Sequence, residues 1–121
     1  MDILQEIKKI TLPGLKIPKP KCVANYQVIK WVYKNDENIM RYSIPNKINV
    51  GKPYTKSIKE SDFKKAYIQL SKVGLLNRNW FNKELQHDSY CHPCNFTTIG
   101  GIFELLEIVT YDMKLKAYVK K

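Results

Sequence analysis

The stretch Thr97-Thr98-Ile99-Gly100-Gly101-Ile102-Phe103-Glu104-Leu105-Leu106-Glu107-Ile108-Val109 carries the pattern on which the fold turns. Ile99, Ile102, Phe103, Leu105 and Leu106 recur at helical spacing, and Thr97 or Thr98 offers an N-cap acceptor. The spacing predicts a helix over 99–108. Two short strands then follow, Val109-Thr110-Tyr111 and Leu115-Lys116-Ala117-Tyr118-Val119, around Asp112-Met113-Lys114. Towards the N-terminus, Phe63, Ala66, Tyr67, Leu70 and Val73 mark another helical face, opened by Glu60, Ser61 and Asp62 and stopped by Gly74. Asn77 caps a shorter helix ending near Leu85, with Trp80, Phe81 and Leu85 inward. Residues 86–95 read as a polar link.

Further upstream, Tyr26-Gln27-Val28-Ile29-Lys30-Trp31-Val32-Tyr33-Lys34 is rich in β-branched and aromatic residues and reads as a strand. A polar turn, Asn35-Asp36-Glu37-Asn38, leads to an alternating return strand, Ile39-Met40-Arg41-Tyr42-Ser43-Ile44. Residues 46–57, with Gly51 and Pro53, read as a loop. At the start, Asp2 caps a short helix whose face is Ile3, Leu4, Ile7 and Ile10, ended by Pro13-Gly14. The next segment, Leu15-Lys16-Ile17-Pro18-Lys19-Pro20-Lys21, holds two prolines and reads as an extended basic arm anchored by Leu15 and Ile17. The expectation is one α+β domain over 1–121. It comprises an N-terminal helix and arm (1–25), a β-hairpin (26–45), and a three-helix unit closed by a C-terminal hairpin (58–121).

Three helices followed by a terminal hairpin over residues 61–121 resemble a winged-helix domain, so the expected architecture of that half is winged-helix-like. The resemblance implies that Thr97, Thr98 and Gly101 approach the major groove and that Lys114 and Lys116 lie on the wing near phosphates. The third helix departs from a reading helix. It offers two glycines and the acids Glu104 and Glu107 where base edges match Arg, Lys, Gln or Asn. The basic N-terminal half is therefore the better binding face.

The chain has 121 residues, 21 Lys+Arg against 11 Asp+Glu and a formal net charge of +10, with 44% hydrophobic residues. That composition fits a single folded domain and excludes wholesale disorder. No apolar run has the roughly 18–20 residues of a membrane span. Met1-Asp2-Ile3-Leu4-Gln5-Glu6 places acids where a secretory leader has lysines, so a cytoplasmic protein without a membrane partner is expected. Residues 1–60 hold twelve cations and five acids. Candidate phosphate contacts are Lys16, Lys19, Lys21, Lys30, Lys34, Arg41, Lys52 and Lys56, with Arg78 on the turn before Trp80. Trp31, beside Lys30 and Lys34, is the candidate stacking ring, and Tyr26, Tyr33, Tyr42 and Tyr54 are interleaved. The favoured function is non-enzymatic binding of DNA or RNA. A second reading gives the same face an acidic protein partner, and a third takes the lysines as a solvated, Lys-rich surface.

The remaining cluster is His87-Asp88-Ser89-Tyr90-Cys91-His92-Pro93-Cys94. Cys91 and Cys94 have the spacing of a shared tetrahedral metal, with His87 as a third ligand and His92 or Cys22 as a fourth. Zinc is thus the alternative to no cofactor at all. The same four residues, 91–94, are similar to a thioredoxin-like motif. The polar residues before them lack the buried strand that motif needs, and reduced thiols are the simpler reading. No phosphate-cradling glycine loop and no carboxylate cluster of nuclease type is present. No catalytic residue is assigned, and a small metal- or thiol-dependent enzyme remains the least favoured class.

Overall fold

The computed structural model describes residues 2–20, 26–45, 51 and 54–121. Asp2 caps helix α1 (Ile3–Ile10), its carboxylate accepting from the N–H groups of Leu4 at 3.1 Å and Gln5 at 3.3 Å. Ile3 and Ile7 are buried. After Gly14 the basic arm becomes a strap beside strand β1 (Gln27–Lys34). Val28 donates its N–H to Leu15 at 2.9 Å, and Ile17 donates to Tyr26 at 2.8 Å. Ile17 is 2% exposed and anchors the strap.

Strand β2 (Glu37–Ile44) returns antiparallel to β1, as expected of the hairpin. The two-residue turn is made by Asn35 (φ 54°) and Asp36 (φ 63°), residue types that tolerate the left-handed conformation such a turn requires. Strand β3 (Tyr54–Lys59) then pairs with the far edge of β2, where the sequence suggested only loop. Its pattern is mostly polar; Ile58, fully buried, supplies the single strong apolar anchor, opposite Met40.

Helix α2 (Glu60–Val73) ends on Gly74 at φ 80° and leads into a two-residue strand β4 (Leu75–Leu76). Asn77 caps α3 (Arg78–Glu84) by accepting from the N–H of Trp80 at 2.8 Å. The polar link contains a short helix, α4 (Gln86–Cys91). Helix α5 (Asn95–Leu105) starts four residues earlier than its apolar pattern indicates, so Thr97 and Thr98 lie in its first turn instead of capping it. Asn95 makes that early start possible: its side chain donates to Ser57 O at 3.0 Å and accepts from the Tyr42 hydroxyl. Strands β5 (Val109–Asp112) and β6 (Ala117–Lys120) form the terminal hairpin, and β4 joins them in the order β4-β6-β5.

The fold is therefore of the α+β class, with an N-terminal helix, then a hairpin, and two small antiparallel sheets. One apolar core joins Met40, Tyr42 and Ile58 of the first sheet to Phe63 and Leu70 of α2, Ile102 and Phe103 of α5, and Tyr118 of β6. Gly100 and Gly101 make this packing possible. A methyl group on Gly100 would overlap the Tyr118 ring, and one on Gly101 would overlap the Pro18 carbonyl oxygen of the strap. Among the described residues no helix is long and apolar enough to cross a membrane.

Candidate anion-binding surfaces

The cross-strand register sorts the basic residues of the first sheet. Residues directly opposite in an antiparallel ladder share a face, and neighbours along a strand point to opposite faces. Lys30 is opposite Arg41, which is opposite Ser57; Val32 is opposite Ile39, which is opposite Lys59. Lys30, Val32, Lys34, Ile39, Arg41, Ser57 and Lys59 thus lie on the face turned away from Met40, Tyr42 and Ile58. Lys16 joins the same side through its bridge to Gln27. A concavity of about 450 Å³ runs over this face, lined by Val32, Lys34, Asn35, Ile39, Arg41, Ser57, Lys59 and His87, with no carboxylate in its wall. Glu37, opposite Lys34, turns its carboxylate to the N–H of Ser61 at 2.9 Å, and hydrogen bonding from the Ser61 side chain, then from its backbone, holds it below the ordinary carboxylate range.

A second basic site has formed from segments far apart in sequence. The strap brings Lys19 and Pro20, the start of the first hairpin Tyr26, α3 brings Arg78, α5 brings Phe96 and Thr97, and the terminal hairpin brings Tyr111 and Lys116. Together they line a cavity of about 400 Å³, again without a carboxylate. The Lys19 ammonium donates to the hydroxyls of Thr97 at 2.9 Å and Thr98 at 2.7 Å, and lies 4.1 Å from the centre of the Tyr26 ring. Arg78 lies over Phe96 at 4.7 Å and donates to Pro93 O at 2.7 Å. Burial lowers its pKa from the ordinary arginine value, because a partly desolvated guanidinium loses hydration that favours its charge.

Several expected contacts belong to neither site. Lys56 is on the inward side of β3, within 3.5 Å of Cys91 O, and Lys114 is exposed in the terminal turn. Thr98 is a correction: it is fully buried, its hydroxyl donating to Cys94 O at 3.0 Å and accepting from Lys19, so it reaches no groove. Gly101 is likewise buried beneath the strap. Trp31 is a second correction. Its indole N–H donates to Thr11 Oγ1 at 2.8 Å, its ring is 6.1 Å from that of Phe63, and Lys8 covers it at 5.5 Å. Core packing has taken the ring that was expected to stack. Lys21 and Lys52 lie outside the described residues, as does Cys22.

The thiol cluster is only partly assembled. Cys91 Sγ is 3.9 Å from His87 Nδ1, whereas the Cys94 thiol is 3.1 Å from the Tyr42 hydroxyl. Both are free thiols. Among the described residues no three His, Cys, Asp or Glu side chains gather as a metal ion would require. His92 is lowered from the ordinary histidine value by burial and then by the charge of Lys56, and its Nδ1 has no partner among the described residues. Near it in sequence is a feature that composition did not single out, a carboxyl pair formed by Asp62 and Asp88, 7% and 5% exposed. Asp62 had the pattern of an ordinary acid at a helix start, and no local signal ties it to Asp88.

Comparison with protein-family models, with curated proteins and with solved structures finds no match for this chain.

Proposed function

We propose that this chain is a non-enzymatic, cytoplasmic nucleic-acid-binding protein that holds the phosphate backbone of DNA or RNA on the outer face of its first sheet. The observation that carries the reading is Lys30 standing directly opposite Arg41. Like charges across a ladder are destabilising by roughly 0.2–1 kcal/mol, and a polyanion laid over them relieves that repulsion. Lys16, Lys34 and Lys59 extend the same side. By alternation Tyr33 and Tyr54 fall on the other face, so the contact is with phosphates, with apolar support from Val32 and Ile39, and not with stacked bases. Helices α2, α3 and α5, with the short α4 inserted between the last two, followed by a hairpin and tied together by β4 pairing with β6, support a winged-helix-like arrangement of residues 61–121. In it the strap covers part of α5, which leaves the sheet as the binding face. The free thiols of Cys91 and Cys94 support a reducing compartment.

Fluorescence anisotropy with a short labelled duplex, titrated from about 50 to 200 mM salt, tests this. The log–log slope should be about −0.9 per phosphate neutralised, hence about −4.5 if all five cations engage. Binding that ignores salt, or no binding at the lowest salt, rules the reading out. The second reading, an acidic protein partner, is favoured by Val32 and Ile39 at the floor of a charged rim, the layout of many protein interfaces. Nuclease treatment of the purified complex separates the two, since it releases nucleic acid and leaves a protein bound.

A further inference from the structure

We propose that the cavity between the strap, α3, α5 and the terminal hairpin binds a nucleoside phosphate, its phosphate monoester among Lys19, Arg78 and Lys116 and its flat ring against Tyr26 or Tyr111. This goes beyond the sheet-face reading and does not depend on it.

Three cations from three separate segments meet around one cavity whose lining holds no acid. Chains seldom concentrate like charge in a concave site without an anion to balance it, because the walls raise the local potential. Arg78 shows the imbalance most directly. A guanidinium has five N–H donors, and in the described contacts one is used, on Pro93 O, with no carboxylate paired to it. The Phe96 ring beneath it at 4.7 Å and the bond to Pro93 O hold the guanidinium at the cavity, and a planar fork suits the paired oxygens of a phosphate.

Of the other two cations, Lys19 is held through its side chain and Lys116 through the backbone turn that carries it. Lys19 is tied to Thr97 and Thr98. Lys116 adopts a left-handed backbone (φ 52°) in a turn that Asp112 braces, its carboxylate accepting from the N–H groups of Lys114 at 2.8 Å and Leu115 at 3.0 Å. A volume of about 400 Å³ lies within the range of small-molecule sites, roughly 300–1,000 Å³. Rings supply the remaining wall, and stacking on aromatic faces is how a nucleobase is held without reading its edge. Inorganic phosphate alone would use the cations and leave the rings idle. The same chemistry is offered by a free mononucleotide and by the phosphorylated end of a strand.

Isothermal titration of the full chain with adenosine monophosphate, adenosine and inorganic phosphate tests the proposal. The monophosphate should bind at least about tenfold more tightly than adenosine, since the charge-assisted contacts are lost with the phosphate. Lys116→Ala and Arg78→Ala should each weaken it by about tenfold or more. Arg78→Lys keeps the charge without the fork and serves as the folded control, with circular dichroism confirming structure. It should bind more weakly than the wild type. Arg41→Ala, on the other basic face, should leave the monophosphate unaffected while weakening duplex binding. An oligonucleotide with a phosphorylated end, compared with its hydroxyl-ended form in the Arg41→Ala background, identifies the source: tighter binding of the phosphorylated form marks a strand end, equal binding of the two a free nucleotide. Equal affinity for adenosine and its monophosphate, no binding at millimolar monophosphate, or unchanged binding in Lys116→Ala overturns the assignment.

Discussion

Asp62, in the first turn of α2, and Asp88, within α4, are both buried in the wall of one small cavity, close enough for Asp88 to act on the Asp62 carboxyl. Among the described residues, Oδ2 of Asp88 has no hydrogen-bond partner. Burial, then hydrogen bonding to Asp88 and its charge, push Asp62 up to about 8, against the opposing pull of Lys59 and Lys65. Glu84, His87, Lys59 and Lys65 line the small cavity beside the pair.

This pair gives stability a defined pH dependence. Asp62 rises from 3.8 to about 8 on folding. Between those values the unfolded chain has lost a proton that the folded chain keeps. The stabilisation is therefore complete below the lower value, falls as pH rises, and is gone above the upper one. The slope is at most about 1.4 kcal/mol per pH unit. Asp62→Asn cannot ionise, so its stability relative to the wild type should climb as pH is raised from about 5 to 8. Urea midpoints across that range measure it, and a pH-independent difference would show that no proton is held there.

Local chemistry made parts of this fold legible. Asp2 and Asn77 cap the helices they were expected to cap, Gly74 ends α2, and the hairpin turn falls within Asn35-Asp36-Glu37-Asn38, shortened to its first two residues because Glu37 and Asn38 already pair with β1. Each is decided within a few residues. Strand β3 was not legible because its pairing depends on the open edge of β2, and α4 because a helix of under two turns forms only where packing supports it. The fate of Trp31 was available in principle: adjacent strand residues point oppositely, so Lys30 and Trp31 do not share a face. The meeting of Lys19, Arg78 and Lys116 had no local signal at all, since only the tertiary fold brings the strap to the terminal hairpin.

Trp31 distinguishes core packing from stacking. Trp31→Phe keeps an aromatic ring and removes the N–H that Thr11 accepts, which should cost about 1 kcal/mol in a denaturation experiment. Trp31→Ala should cost about 3 kcal/mol, as large-to-small changes beside a core do. Neither change should alter the salt slope of duplex binding. A stacking ring would instead lose about 1–3 kcal/mol of binding energy in the alanine variant without a comparable loss of stability.

Gly101 sets two effects against each other. Alanine in a helix interior is favoured over glycine by about 1 kcal/mol. At Gly101, however, the added carbon meets the backbone oxygen of Pro18, which cannot rotate aside, and the side chain of Ile17. Overpacking of this kind costs about 1–3 kcal/mol, so destabilisation should win. Gly101→Ala should lower the melting temperature and, by lifting the strap that carries Lys19, weaken adenosine monophosphate binding. A variant as stable as the wild type would mean that the strap moves freely over α5.

The facing cations of the first sheet make the opposite prediction for stability and for binding. Lys30 and Arg41 repel across the ladder, and both are exposed. Removing either charge with Lys30→Gln or Arg41→Gln should leave the protein equally stable, or more stable by roughly 0.2–1 kcal/mol. The same substitutions should weaken duplex binding and reduce the salt slope by about 0.9 each. Substitution at Lys114, which belongs to neither basic site, should change the slope less. That combination, stability held or gained while affinity falls, is the mark of residues kept for a polyanion and not for the fold. If affinity survives both substitutions, the phosphates lie elsewhere.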